Sequence, residues 1–394
     1  AHPMPSGTLR IGVLAGEASG DILGSRVLAA LRDQYDEVIV EGIGGPLMEE
    51  QGLRSMFPME RLSVMGFVEP LTRLPELLRI RGAVYRHFRD NPPDLFLGID
   101  SPDFNLRLER KLRDQGIATA HLVSPSVWAW RRGRIRGIKR AVDLMMCLFP
   151  FETDIYRQHG VAVHFVGHPL ADEIPVQVDR KQQRHILGLA GDGPLVALLP
   201  GSRESEVRLL APLFLQAAQR LRETNPDIEF VIPAANAQRL DELRKILADY
   251  PDAPVSLLSG RAREVLGAVD AALIASGTAT LEAALLQCPM VVAYRMPALS
   301  WWLMSRLAST PFAALPNILA GEALVPELLQ RDAEPGALAS SLQSLLLSGE
   351  ASRRQLQGLA HIHRDLQRNF AETVADALVA LVTANSEVSS GRSV

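Results

Sequence analysis

Two stretches carry residue types at a spacing that suits an anion. In the first, the apolar run Leu195–Leu199 predicts a strand buried on both faces. It stops at Pro200-Gly201-Ser202-Arg203, and a helical pattern follows with Ser202 or Ser205 placed to cap it. A strand that turns through glycine into a helix start points free backbone N–H groups at the turn, and glycine lets a phosphate approach. Arg203 adds a fixed charge with a forked donor set. The second stretch spans residues 271–286, where an apolar strand ends at Ser276-Gly277-Thr278 and runs into another helix. Two such turns suit a diphosphate better than a monophosphate. Glu282 lies one turn inside that helix, on the face of Thr278. It is a candidate acceptor for two ribose hydroxyls, the alternative being an acid that stabilises the first turn.

Carboxylates supply the second kind of chemistry. Asp100 and Asp103 stand in GIDSPDF, directly after the apolar run Leu95–Ile99. An acid at the top of a buried parallel strand suits a general base working on a hydroxyl. Asp100 takes that role, and Asp103, before Phe104-Asn105-Leu106, fits a capping or orienting role. Glu17, Ser19 and Asp21 follow another strand and are candidate acceptor-site groups, with capping by Ser19 or Asp21 as the alternative. Asn317, in LPNIL, is a lone polar group in an apolar loop, open to a ligand contact or a buried turn.

Two further stretches suggest surfaces. Residues 62–88 are dense in apolar residues, Phe67, Val68, Leu71 and Leu74 among them, interleaved with arginines. Pro70 and Pro75 predict two short helices, each starting at a proline. An apolar surface with a basic rim suits a membrane or an acyl chain, against a core-facing helix as the alternative. Residues 124–140 hold Trp128 and Trp130 and then a basic run from Arg131, which suits a local anion such as a sugar phosphate or a lipid headgroup.

Strand and helix signals alternate throughout. The predicted strands are residues 9–15, 38–43, 95–99, 119–123, 144–148 and 163–166, then 195–199, 229–232, 255–258, 271–275 and 290–294. Such alternation predicts α/β units with parallel sheets covered on both faces. Residues 172–193 are polar and aperiodic and read as a linker. The expected division is a first domain over residues 1–171, this linker, and a second domain over 194–352, with amphipathic helices over about 353–382.

The length of 394 residues accommodates two sizeable cores, and a net charge of −4 gives no electrostatic case for nucleic acid. Two cysteines, both in apolar runs, predict buried thiols and a reducing compartment. No signal peptide, membrane-length apolar span or metal-spaced His, Cys or acid cluster is visible, and His121, His164 and His168 read as structural.

In chain order, GEASGDILG, VMGFVE, GIDSPDFN, SPSVWAWR, LFPFE, LLPGSR, ASGTATLE, PMVVAYRM and LPNILAG resemble the lipid-A-disaccharide synthase family of Gram-negative bacteria. The resemblance covers the chain from about residue 9 to the last helix. It implies the GT-B architecture, two Rossmann-like doubly wound domains facing a cleft, with the C-terminal helices crossing back to the first. It implies an inverting, metal-independent glycosyltransferase with no cofactor. The donor would be UDP-2,3-diacylglucosamine, the acceptor 2,3-diacylglucosamine 1-phosphate (lipid X), and the product a β-1,6 disaccharide 1-phosphate plus UDP. Family members act at the cytoplasmic face of the inner membrane and form homodimers through exchanged C-terminal segments. On this reading Gly201, Ser202, Arg203, Ser276, Gly277 and Thr278 hold the diphosphate, Glu282 the ribose, and Asn317 joins that UDP site. Asp100 is the base with Asp103 beside it. Glu17, Ser19, Asp21, Trp128 and Arg131 serve the acceptor. The competing readings are a UDP-sugar 2-epimerase, which needs no lipid surface, and a non-catalytic lipid-sugar binding module, which tolerates loss of Asp100.

Overall fold

A computed structural model describes residues 7–63, 70–126, 132–189, 191, 193–275, 277–301 and 310–391. The chain forms two compact units, residues 1–169 with 367–394, and residues 170–366.

The first unit is a seven-stranded parallel sheet. Its strands are β1 (Thr8–Ala15), β2 (Glu37–Ile43), β3 (Leu53–Ser55), β4 (Leu95–Ile99), β5 (Thr119–Leu122), β6 (Leu144–Cys147) and β7 (Val163–Phe165), in the order β3-β2-β1-β4-β5-β6-β7. Successive side chains of a strand leave on opposite faces, so β1 and β4 serve two cores at once. Leu9, Ile11, Val13, Leu95, Leu97 and Ile99 pack with Val27, Leu28 and Leu31 of helix α1 (Ala18–Arg32). The terminal helix Phe370–Gly391 completes that layer with Phe370, Val374, Ala375 and Leu378, a stripe at helical spacing. Leu14 and Phe96 face the other way, against the helix Pro70–Asp90 and the helix Pro102–Asp114. These two are α3 and α4, α2 being the short helix Pro46–Glu50.

The second unit holds six parallel strands, β8 (Leu195–Leu199), β9 (Glu229–Ala234), β10 (Val255–Ser259), β11 (Ala271–Ala275), β12 (Met290–Tyr294) and β13 (Glu327–Leu329). Their order is β10-β9-β8-β11-β12-β13. One core of this unit lies under helix α5 (Glu204–Thr224), whose Val207, Leu210, Phe214 and Leu221 are buried. Both cysteines, Cys147 and Cys288, are buried free thiols, and burial pushes Cys288 up to about 11.

Four expectations are corrected. Residues 70–90 form one helix, not two. Pro75 is the sixth residue of the helix, so the bond it removes is an early one near the frayed first turn. The segment 172–193 is not a bare linker, because it carries the helix Arg180–Ile186, capped by Asp179, and belongs to the second unit. Its polar side chains are anchors: Arg184 donates from Nε to Ala268 O at 2.7 Å and pairs with Asp270 at 2.6 Å, and Arg180 donates to the carbonyls of Val269 and Gln287. The helix Gly349–Leu366 stays in the second unit, where Gln355 bonds both backbone groups of Met290 at 2.9 and 3.0 Å. Only the terminal helix joins the first. Finally, β3 and β13 were not anticipated, since three residues show no period.

Candidate functional site

In each sheet the strand order reverses once, between β1 and β4 in the first unit and between β8 and β11 in the second. At such a point the helices after the two strands leave on opposite faces, and the strand ends open a crevice where ligands bind. Asp100 and Glu17 follow the strands at the first of these places, and Gly201 and Gly277 those at the second.

In the first unit Ala15 lies beside Ile99 in register, so Gly16-Glu17 and Asp100-Ser101 are neighbouring strand ends. A Cβ on Gly16 would stand 2.9 Å from Ser101 Oγ, so the two strand ends approach closely there. Asp100 and Ser101 both adopt left-handed φ, +52° and +43°. Val123, at the end of adjacent β5, does the same at +78°, an unusual conformation for a β-branched residue. Backbone strain therefore collects at two adjacent strand ends, as it does at functional sites. Asp100 is half-buried, and its N–H donates to Leu122 O at 2.9 Å. Ser63 donates from Oγ to Gly16 O at 3.2 Å, and Arg73 of α3 donates to Ser63 O at 2.8 Å, so α3 is tied to this corner.

The other predicted residues of this unit divide. Glu17 and Ser19 are exposed beside the strand end. Asp21 is a correction: it is buried and accepts from the N–H groups of Gly45, Leu47 and Met48 at 3.0, 3.1 and 3.0 Å. That carboxylate closes the start of α2 and is not available to an acceptor sugar. Asp103 is neither cap nor strand-end acid, since Ser101 occupies the cap position and the exposed Asp103 carboxylate pairs with Arg134. Trp128 and Arg131 lie outside the described residues, as do Phe67, Val68 and the side chain of Leu71. Leu74 is exposed on α3, with Leu78 one turn on.

Sequence reading missed what lies beneath Asp100. Asn105, fully buried on α4, donates from Nδ2 to Asp100 O at 2.9 Å, Leu14 O at 3.2 Å and Ile99 O at 3.4 Å. One turn on, Glu109 meets His121 Nδ1 at 3.0 and 3.1 Å, both side chains fully buried. Burial pushes the Glu109 carboxyl up, opposed by the charge and hydrogen bond of His121. Gly98 makes room for this pair, because a Cβ there would stand 2.8 Å from Glu109 Oε1.

In the second unit Leu199 lies beside Ile274, so the turns after β8 and β11 are also neighbours. Gly201 has φ +121°, and a Cβ there would stand 2.6 Å from Glu206 Cβ. Only glycine satisfies both conditions. The helix cap is Arg203, not Ser202 or Ser205, and its N–H donates to Glu206 Oε1 at 3.2 Å. Ser202 and the Arg203 side chain stay exposed at the helix start. Tyr294, at the end of β12, was not singled out. Its hydroxyl is pushed up by burial, then by the charge of Glu206 and a hydrogen bond to it, with Arg203 opposing.

Gly277 has φ +145°, and Thr280 ties the turn by donating from Oγ1 to Gly277 O at 2.7 Å. Thr278 is exposed, and Ser276 lies outside the described residues. Glu282, half-buried, already faces Arg263 at 3.6 Å. Asn317 is the other correction. It is buried, donates to Val325 O at 2.9 Å and Glu327 at 3.1 Å, and accepts from Val325 N at 2.8 Å. Its amide braces its own loop, the buried-turn alternative.

The family model of lipid-A-disaccharide synthetase matches residues 11–382. A lipid-A-disaccharide synthase of Cellvibrio japonicus is 51% identical over 377 residues, covering 96% of this chain and 98% of the relative. One from Pseudomonas paraeruginosa is 52% identical, covering 96% and 99%. Among solved structures, a UDP-GlcNAc 2-epimerase from Neisseria meningitidis bound to UDP-GlcNAc superposes with TM-score 0.59 at 14% identity, covering 95% of this chain and all of that one (100%). A glycosyltransferase from Rickettsia africae gives TM-score 0.59 at 10% identity, covering 95% and 97%. At these identities the structures share the fold alone, two parallel-sheet Rossmann-like domains.

Proposed function

The chain belongs to the lipid-A-disaccharide synthase family of glycosyltransferases, and from that premise we propose that it joins UDP-2,3-diacylglucosamine to 2,3-diacylglucosamine 1-phosphate by a β-1,6 bond. The observation that carries the chemistry is Asp100, a half-buried carboxylate at the reversal point of the first sheet. It takes the proton from the acceptor 6-hydroxyl as that oxygen forms its bond to the anomeric carbon. The bond from that carbon to UDP breaks in the same displacement, and the electron pair leaves on the β-phosphate. One displacement inverts the configuration and needs one base.

The leaving diphosphate gains charge as it departs, and donors already in place stabilise it without reorganising. Those donors are the N–H groups at the start of α5, Ser202 and the Arg203 guanidinium, with Gly277 and Thr278 after β11 and, outside the described residues, Ser276. Glu282 accepts from the ribose hydroxyls, steadied by Arg263. Glu17 and Ser19 are assigned to the acceptor sugar, and Trp128 and Arg131, which lie outside the described residues, to its phosphate.

Acceptor-dependent release of UDP tests this reading. UDP appears from the diacylglucosamine donor only when the 1-phosphate acceptor is present, with a product of the summed acyl-sugar mass. Release without acceptor would mark an epimerase or hydrolase instead.

The acyl chains stay partly in the bilayer while the sugars react. Phe67, Val68, Leu71 and Leu74 are assigned to the contact surface; of these only the Leu74 side chain is described, and its exposure together with that of Leu78 one turn on along α3 supports the assignment. The double substitution Leu74→Glu with Leu78→Glu is expected to reduce co-sedimentation with phospholipid vesicles by about tenfold, from the apolar area lost to the bilayer. UDP affinity should not change. Undiminished co-sedimentation would place the membrane surface elsewhere.

A further inference from the structure

We propose that Asn105 is a positioning residue for the transfer, its buried amide fixing the backbone of Asp100 and so setting where the Asp100 carboxylate stands. The proposal rests on the reading of Asp100 as the base. Among the described residues no partner holds the Asp100 carboxylate, so its place is set through its backbone. That backbone is gripped at both ends of the residue. The N–H donates to Leu122 O at 2.9 Å, and the carbonyl accepts from Asn105 Nδ2 at the same distance. Between these grips φ is +52°, and Ser101 follows at +43°. An L residue leaves that region readily unless its surroundings hold it there.

Asn105 is 0% exposed, so it touches no substrate and acts through another residue. Its two amide hydrogens reach three carbonyls, and Asp100 is the nearest. The others, Leu14 and Ile99, belong to β1 and β4, the strands that flank the crevice. One side chain thus fastens both strand ends to α4. Packing alone does not explain an amide here. Asn105 Oδ1 is buried without a hydrogen-bond partner, a cost that an apolar side chain would avoid. The donor end is what the site requires.

The test is a double-mutant cycle. Asn105→Ala is expected to lower kcat about 100-fold, the loss that follows a misplacement of order 1 Å at a reacting group. KM for the acceptor and the affinity for UDP should be unchanged. Asn105→Asp keeps the volume and removes the amide donor, so it should lose activity in step with Asn105→Ala, while thermal unfolding confirms that each variant folds. In an Asp100→Asn background, adding Asn105→Ala should change the residual rate less than about twofold, because the residue it positions is already disabled. A full 100-fold loss in that background overturns the proposal and makes Asn105 a general structural residue. So does wild-type turnover in Asn105→Asp, which would show that filling the space is sufficient. Wild-type turnover in Asp100→Asn alone removes the base itself, a failure visible without Asn105 and distinct from the other two.

Discussion

Asp100→Asn is expected to lower acceptor-dependent turnover by about 10²- to 10⁴-fold, the range that general-base catalysis supplies, while the affinity for UDP should stay at the wild-type value. Asparagine is the informative replacement because of the backbone. Asp100 sits at φ +52°, and asparagine tolerates the left-handed region that alanine does not. The N–H to Leu122 and the carbonyl to Asn105 both survive, so the turn keeps its shape and only proton acceptance is lost. The residues proposed for UDP follow β8 and β11, in the other unit, and should keep their geometry. Single-turnover kinetics beside a UDP titration would check both halves. A loss under about tenfold would move the base to another group.

Arg203→Ala is the second large effect, a fall of about 10²- to 10³-fold in kcat/KM, the size expected when one charged donor to a developing anion is removed. UDP binding should weaken by at least about tenfold, since a charge-assisted bond to phosphate contributes on the order of 1.5–3 kcal/mol. The guanidinium is exposed at the start of α5, so the fold does not depend on it. The cap bond uses the Arg203 backbone N–H, which alanine retains. Arg203→Lys should recover part of the binding and little of the rate, because an ammonium is a point charge without the rigid planar fork that pairs two phosphate oxygens. Titration with UDP and steady-state kinetics decide it. Unchanged UDP affinity in Arg203→Ala would mean that backbone donors alone hold the diphosphate.

Some of this arrangement was legible in the residues, and the reason is physical. Buried parallel strands are short runs of continuous apolar residues, so Leu95–Ile99, Leu195–Leu199, Ala271–Ala275 and Met290–Tyr294 stand at their read boundaries. Glycine at Gly201 and Gly277 marks a backbone demand that local sequence shows directly. Polar side chains are harder, because a carboxylate or amide has the same composition whether it faces a ligand or the protein. Asp21 turned inward to satisfy backbone groups from a segment that the sequence does not place beside it, and Asn317 to brace a loop whose turn local composition does not reveal. Asn105 and Glu109 were invisible for the same reason. Their spacing on α4 is an ordinary helical step, and only the strands packed beneath give them work.

The terminal helix has a consequence in the order of biosynthesis. The second unit is one uninterrupted run of chain, whereas the core of the first waits for Phe370, Val374, Ala375 and Leu378. A domain usually folds as it leaves the ribosome, N-terminal part first. Here the unit begun earliest cannot bury its α1 layer until some two hundred further residues have been translated, counted across the 170–366 segment. Until then Leu28 and Leu31 lack their last covering layer, and the nascent chain carries an apolar strip for as long as synthesis of the second unit takes.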